Sequence, residues 1–237
     1  MRRTLLAPAE WLITTYSRDG SRTFFEADDF AWVREIEAGT PAIRKELDTL
    51  LLKREDIPNF QDISQNQRYL TQGADWKSFV LYAYGKRIDE NCARCPETER
   101  LLRKIPGMKT AMFSILAPGK HIPEHCGLYK GVLRYHLGLI VPQPESLCRI
   151  RVGSDVRSWE QGRSLIFDDR HVHEVWNDSE VHRTVLFVDF VRPLRWPIDW
   201  INRAVIQIFS MTSFVTDAAK RARAAASRVE PHAAHDN

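Results

Sequence analysis

Apolar positions follow two different rhythms along this chain. Phe30, Trp32, Val33, Ile36, Ile43, Leu47, Leu50 and Leu51 recur at the spacing of an amphipathic helix, with a break at Gly39-Thr40-Pro41. Thr40 before Pro41 predicts a cap followed by proline at the first helical position. Residues 56–67 are polar around one proline and predict a loop. Residues 76–84 are aromatic and β-forming and predict a strand, and Cys95-Pro96 opens another short helix. From 109 to 192 the rhythm changes to short β-rich runs at 111–118, 132–141, 148–152, 163–169, 172–176 and 184–191. Turn signals such as Pro118-Gly119, Lys130-Gly131 and Gln161-Gly162 separate them. Strands of this length and spacing predict an antiparallel sandwich or barrel. A helical stripe returns after Pro193: Trp196, Trp200, Ile201, Ala204, Val205, Ile208, Phe209 and Val215, with Asn202, Arg203, Gln207 and Ser210 away from it. The Ala-rich, basic end from 218 to 237 is expected to fray.

One run carries an anomaly. In 132–141, Leu133, Tyr135, Leu137, Leu139 and Val141 share one strand face, while Arg134 and His136 point to the other beside Gly138 and Ile140. Burying such polar groups is costly unless something pairs with them, so this strand is a candidate wall of a polar pocket.

Composition changes the picture only a little. The chain has 237 residues, 43% hydrophobic and 27% charged, enough for a full core without staples. The formal net charge of +3 is matched by the +3 of residues 192–237, so the first 191 residues are neutral overall. A nucleic-acid partner for the main body has no electrostatic support. The four cysteines fit free thiols in a reducing, cytoplasmic setting, and neither a signal peptide nor a spanning segment is read. Cys92-x-x-Cys95 has zinc-ligand spacing, but no second pair follows it.

Histidines supply the candidate chemistry. His121-x-x-x-His125 and His171-x-His173 lie about 50 residues apart, the second just after Asp168-Asp169. An early and a late strand of a small barrel can bring such ligands together. Two His and one carboxylate would leave positions open on Fe(II). The usual carboxylate position, two residues after the first His, holds Gly127. Two imidazoles and a chelating co-substrate could still hold a metal. Arg183, ten residues after His173, opens a strand where a guanidinium could bind a dicarboxylate bidentately.

The ordered run of His125-Cys126-Gly127, Leu133-Arg134-Tyr135-His136-Leu137-Gly138-Leu139, Trp159-Glu160-Gln161-Gly162, Phe167-Asp168-Asp169, His173-Glu174-Val175-Trp176-Asn177 and Arg183 resembles the aspartyl/asparaginyl β-hydroxylase family. The resemblance covers roughly residues 91–193. It implies an Fe(II)- and 2-oxoglutarate-dependent dioxygenase on a double-stranded β-helix (jelly-roll, cupin-like) core. Three segments of one domain follow: a helical N-terminal cap over 1–108, the core over 109–193, and a C-terminal amphipathic helix with a basic tail over 194–237. By position, His125 and His173 would be the metal ligands, with Gly127 a family feature. Arg183 and Ser114 would hold the distal carboxylate of 2-oxoglutarate, and Arg134 and His136 would line the co-substrate and substrate pocket. Dioxygen would be the oxidant, and no side chain is assigned as general acid or base. Lipid A hydroxylases, a related branch, share the Arg-Tyr-His-Leu-Gly-Leu run but keep an acid after the His, which argues against lipid A.

The expected reaction is hydroxylation of an unactivated C–H, first of all the β-carbon of an aspartyl or asparaginyl group, free, peptidyl or carried. Two alternatives are a lipid-linked acyl chain and a non-catalytic metal- or 2-oxoacid-binding module. The 196–215 helix is read chiefly as packing on the core or a partner. Its second reading is peripheral contact with the cytoplasmic face of a membrane, through the two tryptophans and the basic tail.

Overall fold

The computed structural model describes residues 2–17 and 21–227. In chain order its strands are β1 Phe24–Phe25, β2 Trp76–Ala83, β3 Lys86–Arg87, β4 Met108–Leu116, β5 His121–His125, β6 Val132–Ile140, β7 Cys148–Val152, β8 Asp155–Ser158, β9 Ser164–Phe167, β10 His173–Asn177 and β11 Arg183–Val191. Its helices are α1 Arg2–Tyr16, α2 Val33–Ala38, α3 Thr40–Leu51, α4 Phe60–Ile63, α5 Asp89–Ala93, α6 Pro96–Leu102, α7 Ile198–Ser210 and α8 Ser213–Ala226.

The strands form two sheets, ordered β1-β9-β6-β11-β4-β2-β3 and β5-β10-β7-β8. Neighbours are antiparallel and mostly distant in sequence, as in a jelly roll. The fold is therefore mainly β with helices, on a cupin-like core. Strands β1 to β3 come from the first 108 residues, and β2 runs beside β4 with Trp76 opposite Leu116 and Ser78 opposite Ser114. The N-terminal segment thus shares the large sheet with the later strands.

Strand alternation decides what each face does. Leu133, Tyr135, Leu137 and Leu139 of β6, with Phe113, Ile115, Leu186 and Val188, pack under Ile36, Ile43, Leu47 and Leu50 of α2 and α3. Each such side chain is worth roughly 1.5–3 kcal/mol when buried. A one-residue slip of β6 would exchange this row with Arg134 and His136, so the core fixes the register. The opposite face of the large sheet looks toward the small sheet. There, cross-strand pairing brings Phe167, Arg134 and Asp189 into one row, and Leu165, His136 and Phe187 into the next. Val185 and Ser114 stand opposite each other beyond them.

Four local readings change. Gly39 caps α3, and Thr40 is its first residue; the Thr40 hydroxyl donates back to the Glu37 carbonyl at 2.6 Å, closing α2 instead. Residues 56–67 contain α4, because Phe60 and Ile63 find an apolar surface, and Phe60 stacks on Trp76 with centroids 3.7 Å apart. In α7 the polar Asn202 is buried, its amide donating to the Gly131 carbonyl at 2.9 Å, whereas Trp196, Trp200 and Ile208 of the expected packing stripe are exposed. Residues 218–226 belong to α8, which buries Ala218, Ala219, Ala222 and Ala226. Alanine allows close helix approach with little hydrophobic signal in the sequence. The expected tail over 228–237 and the Val215 side chain lie outside the described residues.

Candidate active site between the two sheets

β5 and β10 are neighbours in the small sheet, and His125 stands directly opposite His173. Their ring centroids lie 4.1 Å apart. His125 Nδ1 is 2.8 Å from the Pro123 carbonyl oxygen and His173 Nδ1 is 2.9 Å from that of His171. A carbonyl only accepts, so each Nδ1 carries the proton and each Nε2 presents a lone pair. Burial lowers the pKa of His125 to about 4 and that of His173 well below its ordinary value, the latter helped by the His125 and Arg134 charges. Both rings are thus neutral near pH 7, the state in which imidazole binds a metal. Orientation through Nδ1 is the usual support for such ligands.

The other two histidines of the clusters stay apart. His121 stacks on Trp176 with centroids 5.2 Å apart and pairs with Glu174 at 3.0 Å. His171 contributes its carbonyl to His173, and its ring lies 3.8 Å from Asp168.

His136 is wired the opposite way. The Trp159 indole N–H, which can only donate, lies 3.3 Å from His136 Nδ1. The proton of neutral His136 is therefore on Nε2, which is buried and meets no partner among the described residues. Burial, then the Arg183, Arg134 and His173 charges, hold this ring well below its ordinary pKa. It is a neutral hydrogen-bond donor to which none of the described residues supplies an acceptor.

Arg183 is in the same position. It is buried, and its Nε and Nη1 find no partner among the described residues. Its guanidinium carbon lies 4.4 Å above the Trp159 ring. Burial lowers its pKa to about 10, so it stays charged at neutral pH. A buried guanidinium without a counter-ion is costly, and a bidentate carboxylate would relieve it. Ser114 is buried and accepts a hydrogen bond from the Trp76 indole at 2.9 Å, leaving its own proton to donate. Trp159 touches both His136 and Arg183, and Phe167 packs edge-on against His136 and His173 at 5.2 and 5.7 Å. These aromatic contacts tie the candidates to one region.

Arg134 lines the cavity described below and is also satisfied within the fold. It pairs with Asp189 at 2.9 Å and Asp169 at 2.8 Å, and lies over the Phe187 ring at 4.3 Å. Burial opposes its charge, but the two carboxylates more than offset this and raise its pKa.

Asp169 is the residue whose role was not read from the sequence, although the acidic pair was noticed. A Cβ built on Gly127 would fall within the Asp169 carboxylate, and the Gly127 N–H donates to the Asp169 carbonyl at 2.7 Å. Burial, and repulsion from Asp189 and Asp168, raise the Asp169 pKa against the pull of Arg134. Its Oδ1 has no partner among the described residues. Asp168 behind it is fully buried and held by Arg192 and by Lys130 at 3.3 Å. Among the described residues, no set of three or more His, Cys, Asp or Glu is placed to hold a metal. The candidate centre therefore rests on two imidazoles.

A cavity of about 180 Å³ leads away from His125, Gly127, Arg134 and Asp169. Its walls are mostly apolar: Phe60 and Ile63 of α4, Trp76 and Val80 of β2, Met112, Phe187, Leu128 and Val132, closed by Ile206 and Phe209 of α7. The segment 56–67 thus covers the cavity as well as bordering solvent.

A family profile described as Aspartyl/Asparaginyl beta-hydroxylase matches residues 37–193. The chain is 44% identical over 214 residues to the ornithine lipid ester-linked acyl 2-hydroxylase of Rhizobium tropici, covering 90% of this chain and 76% of that protein. It is 38% identical over 129 residues to human aspartyl/asparaginyl beta-hydroxylase, covering 52% of this chain but only 17% of the human protein. Solved structures similar to it include a Cupin_2 domain of an XRE family transcriptional regulator from Enterobacter cloacae, with TM-score 0.35, 13% identity, and 50% and 99% of the two chains covered. A Schizosaccharomyces pombe Cnp3 cupin domain gives TM-score 0.34 and 10% identity over 52% and 68%. The profile match, carried over most of the chain and containing every residue of the two-imidazole centre, places this protein in the aspartyl/asparaginyl beta-hydroxylase family.

Proposed function

We propose that this protein is an Fe(II)- and 2-oxoglutarate-dependent dioxygenase that hydroxylates the acyl chain of a lipid. The observation that carries the co-substrate is the buried Arg183 guanidinium, with Nε and Nη1, like the Nε2–H of His136, unpartnered among the described residues. A dicarboxylate fits this donor set, and the two Nε2 lone pairs of His125 and His173 fit a divalent transition metal. The bound iron would supply oxygen activation coupled to decarboxylation of 2-oxoglutarate to succinate and CO2, with one oxygen atom entering the substrate C–H.

The protein's own part is positioning. His125 and His173 hold the ion, and their Nδ1 bonds to Pro123 and His171 fix the rings. Arg183 and Ser114 bind the distal carboxylate of 2-oxoglutarate. His136 donates from Nε2 to an oxygen of the same ligand. Asp169 fills the space over Gly127 and offers Oδ1 as an acceptor there. The apolar cavity orients a C–H bond and excludes water. No proton transfer by a side chain is required.

Of the substrate classes expected from the sequence, the aspartyl group came first. The cavity favours the acyl chain, since its walls are mostly apolar and its Arg134 is already paired with Asp169 and Asp189. The 44% identity to an acyl 2-hydroxylase supports the same choice. The test is succinate release from 2-oxoglutarate with Fe(II) and ascorbate, for wild type and His125→Ala. It is run with an acyl-lipid panel beside aspartyl and asparaginyl peptides. Turnover with acyl lipids that is lost in the variant is expected. Turnover with peptides alone would overturn the substrate, and binding of 2-oxoglutarate without turnover on any substrate would favour a binding module.

A further inference from the structure

We infer that the outer face of α7 is a bilayer-docking surface that sets the mouth of the cavity against lipid. This deepens the acyl-lipid reading and rests on it for the substrate alone. The helix carries apolar side chains on both of its sides, Ile198, Val205 and Ile206 packing inward. Its inner side buries Asn202 and lines the cavity with Ile206 and Phe209. Its outer side carries Trp200 at 71% exposure, Ile208 at 69% and, just past its end, Met211 at 75%. These positions fall on one stripe at spacings of eight and three residues. Trp196, two residues before the helix, is 86% exposed.

Single exposed apolar side chains are ordinary, but three on one helical stripe, with a second exposed tryptophan shortly before it, are not. Tryptophan favours the boundary between headgroups and acyl chains, where its ring is buried and its N–H is wet. Among the described residues no helix is long and apolar enough to cross a membrane, so α7 would lie on the surface rather than span it.

Two further observations select a lipid surface as the occupant. The first is charge. Residues 192–237 carry a formal +3; Arg192 is buried against Asp168 and Arg203 pairs with Asp199, while Arg195, Lys220 and Arg223 of this segment are exposed. Basic groups near an apolar stripe draw it to anionic headgroups. The second is continuity. Leu128 is exposed yet also lines the cavity, and the half-buried Ser210 at the end of α7 lines it too. Cavity-lining and outward-facing apolar side chains therefore share one helix, with the exposed Leu128 at the cavity's edge, and an acyl chain leaving a bilayer beside α7 could enter with little passage through water.

The test uses full-length protein and a Trp200→Glu/Ile208→Glu variant. Neither position lines the cavity. Vesicles of phosphatidylcholine containing one third phosphatidylglycerol are compared with phosphatidylcholine alone by co-sedimentation, with no turnover required. Wild type is expected to bind the anionic vesicles, and the variant to bind them at least about tenfold more weakly. With one acyl-lipid substrate, turnover should fall in vesicles and stay unchanged in detergent micelles. Matching circular dichroism and melting of the variant, together with the milder Trp200→Ser, separates lost docking from lost folding. Equal vesicle binding by wild type and variant, or no binding by wild type, would overturn the inference. So would a wild-type dimer that the variant breaks without any vesicle binding, which would assign the stripe to self-association. Vesicle binding lost in the variant, with no acyl turnover under any condition, would leave the docking surface standing and reject the substrate.

Discussion

The carboxylate of Asp169 occupies the space that a side chain on residue 127 would fill. The two residues are 42 positions apart, yet one acid stands over the site where a two-His, one-carboxylate centre would have another. Glycine at 127 is therefore required by the fold. Gly127→Asp should destabilise the protein by about 1–3 kcal/mol through overpacking and like-charge contact. Adding Asp169→Gly should recover much of that loss. Thermal melting of the two single variants and the double variant measures the coupling; simple additivity would refute the steric relationship.

Arg183→Met should abolish the response to 2-oxoglutarate while leaving the free protein as stable as wild type or more so. Among the described residues the buried guanidinium has no partner for Nε and Nη1 and no ion pair, so removing it should cost the fold little. Calorimetric affinity for 2-oxoglutarate should drop about a hundredfold, as two charge-assisted hydrogen bonds are lost. A large fall in the melting temperature of the free protein would show that Arg183 has a structural counter-ion.

Glu99 gives a pH prediction away from the site. Arg87 at 2.7 Å, Arg103 at 2.7 Å and the Tyr82 hydroxyl at 3.0 Å surround it. The Arg87 hydrogen bond, opposed by burial and helped by Arg103, lowers its pKa to about 2. A depressed carboxylate stabilises above its unfolded value and loses that contribution as pH falls toward the folded one. Glu99→Gln should therefore cost about 2 kcal/mol at pH 7, with the difference shrinking from roughly pH 4.5 downward. Urea denaturation at pH 7 and pH 3.5 checks this; a gap that stays constant would contradict it.

Val80→Phe should shorten the acyl chains the enzyme accepts. Val80 lines the apolar cavity from β2 and is buried. Added volume there narrows the cavity, and each excluded methylene is worth about 0.8 kcal/mol of lost burial. Product analysis over acyl lengths should show a preference shifted to shorter chains at similar turnover of the shortest. An unchanged length profile would place the substrate elsewhere.

Sequence periodicity revealed the strands because alternation is local. Arg134 and His136 could be read as facing away from Leu133, Tyr135 and Leu137 with no knowledge of their neighbours. The two metal-ligand candidates were legible for a similar reason, as His beside a family-like run. The Gly127–Asp169 relationship was not, since contact over 42 residues follows from β5 and β10 lying side by side and leaves no spacing signal. The stripe of α7 was legible as a stripe, but its direction was not. A hydrophobic pattern states which residues share a face, and the burial of Asn202 and the exposure of Trp200 depend on what the remaining surface already satisfies.

Imidazole polarity is set here by an atom that belongs to another residue. His125 and His173 meet carbonyl oxygens at Nδ1, and His136 meets the indole N–H of Trp159. The same side chain is thereby an electron-pair donor at two positions and a proton donor at the third. In the proposed centre Trp159, which need touch neither metal nor substrate, would keep His136 from competing for an ion bound at His125 and His173. On that proposal cation and anion would be sorted by three uncharged rings, and the selectivity of the centre would depend as much on its indole as on its histidines.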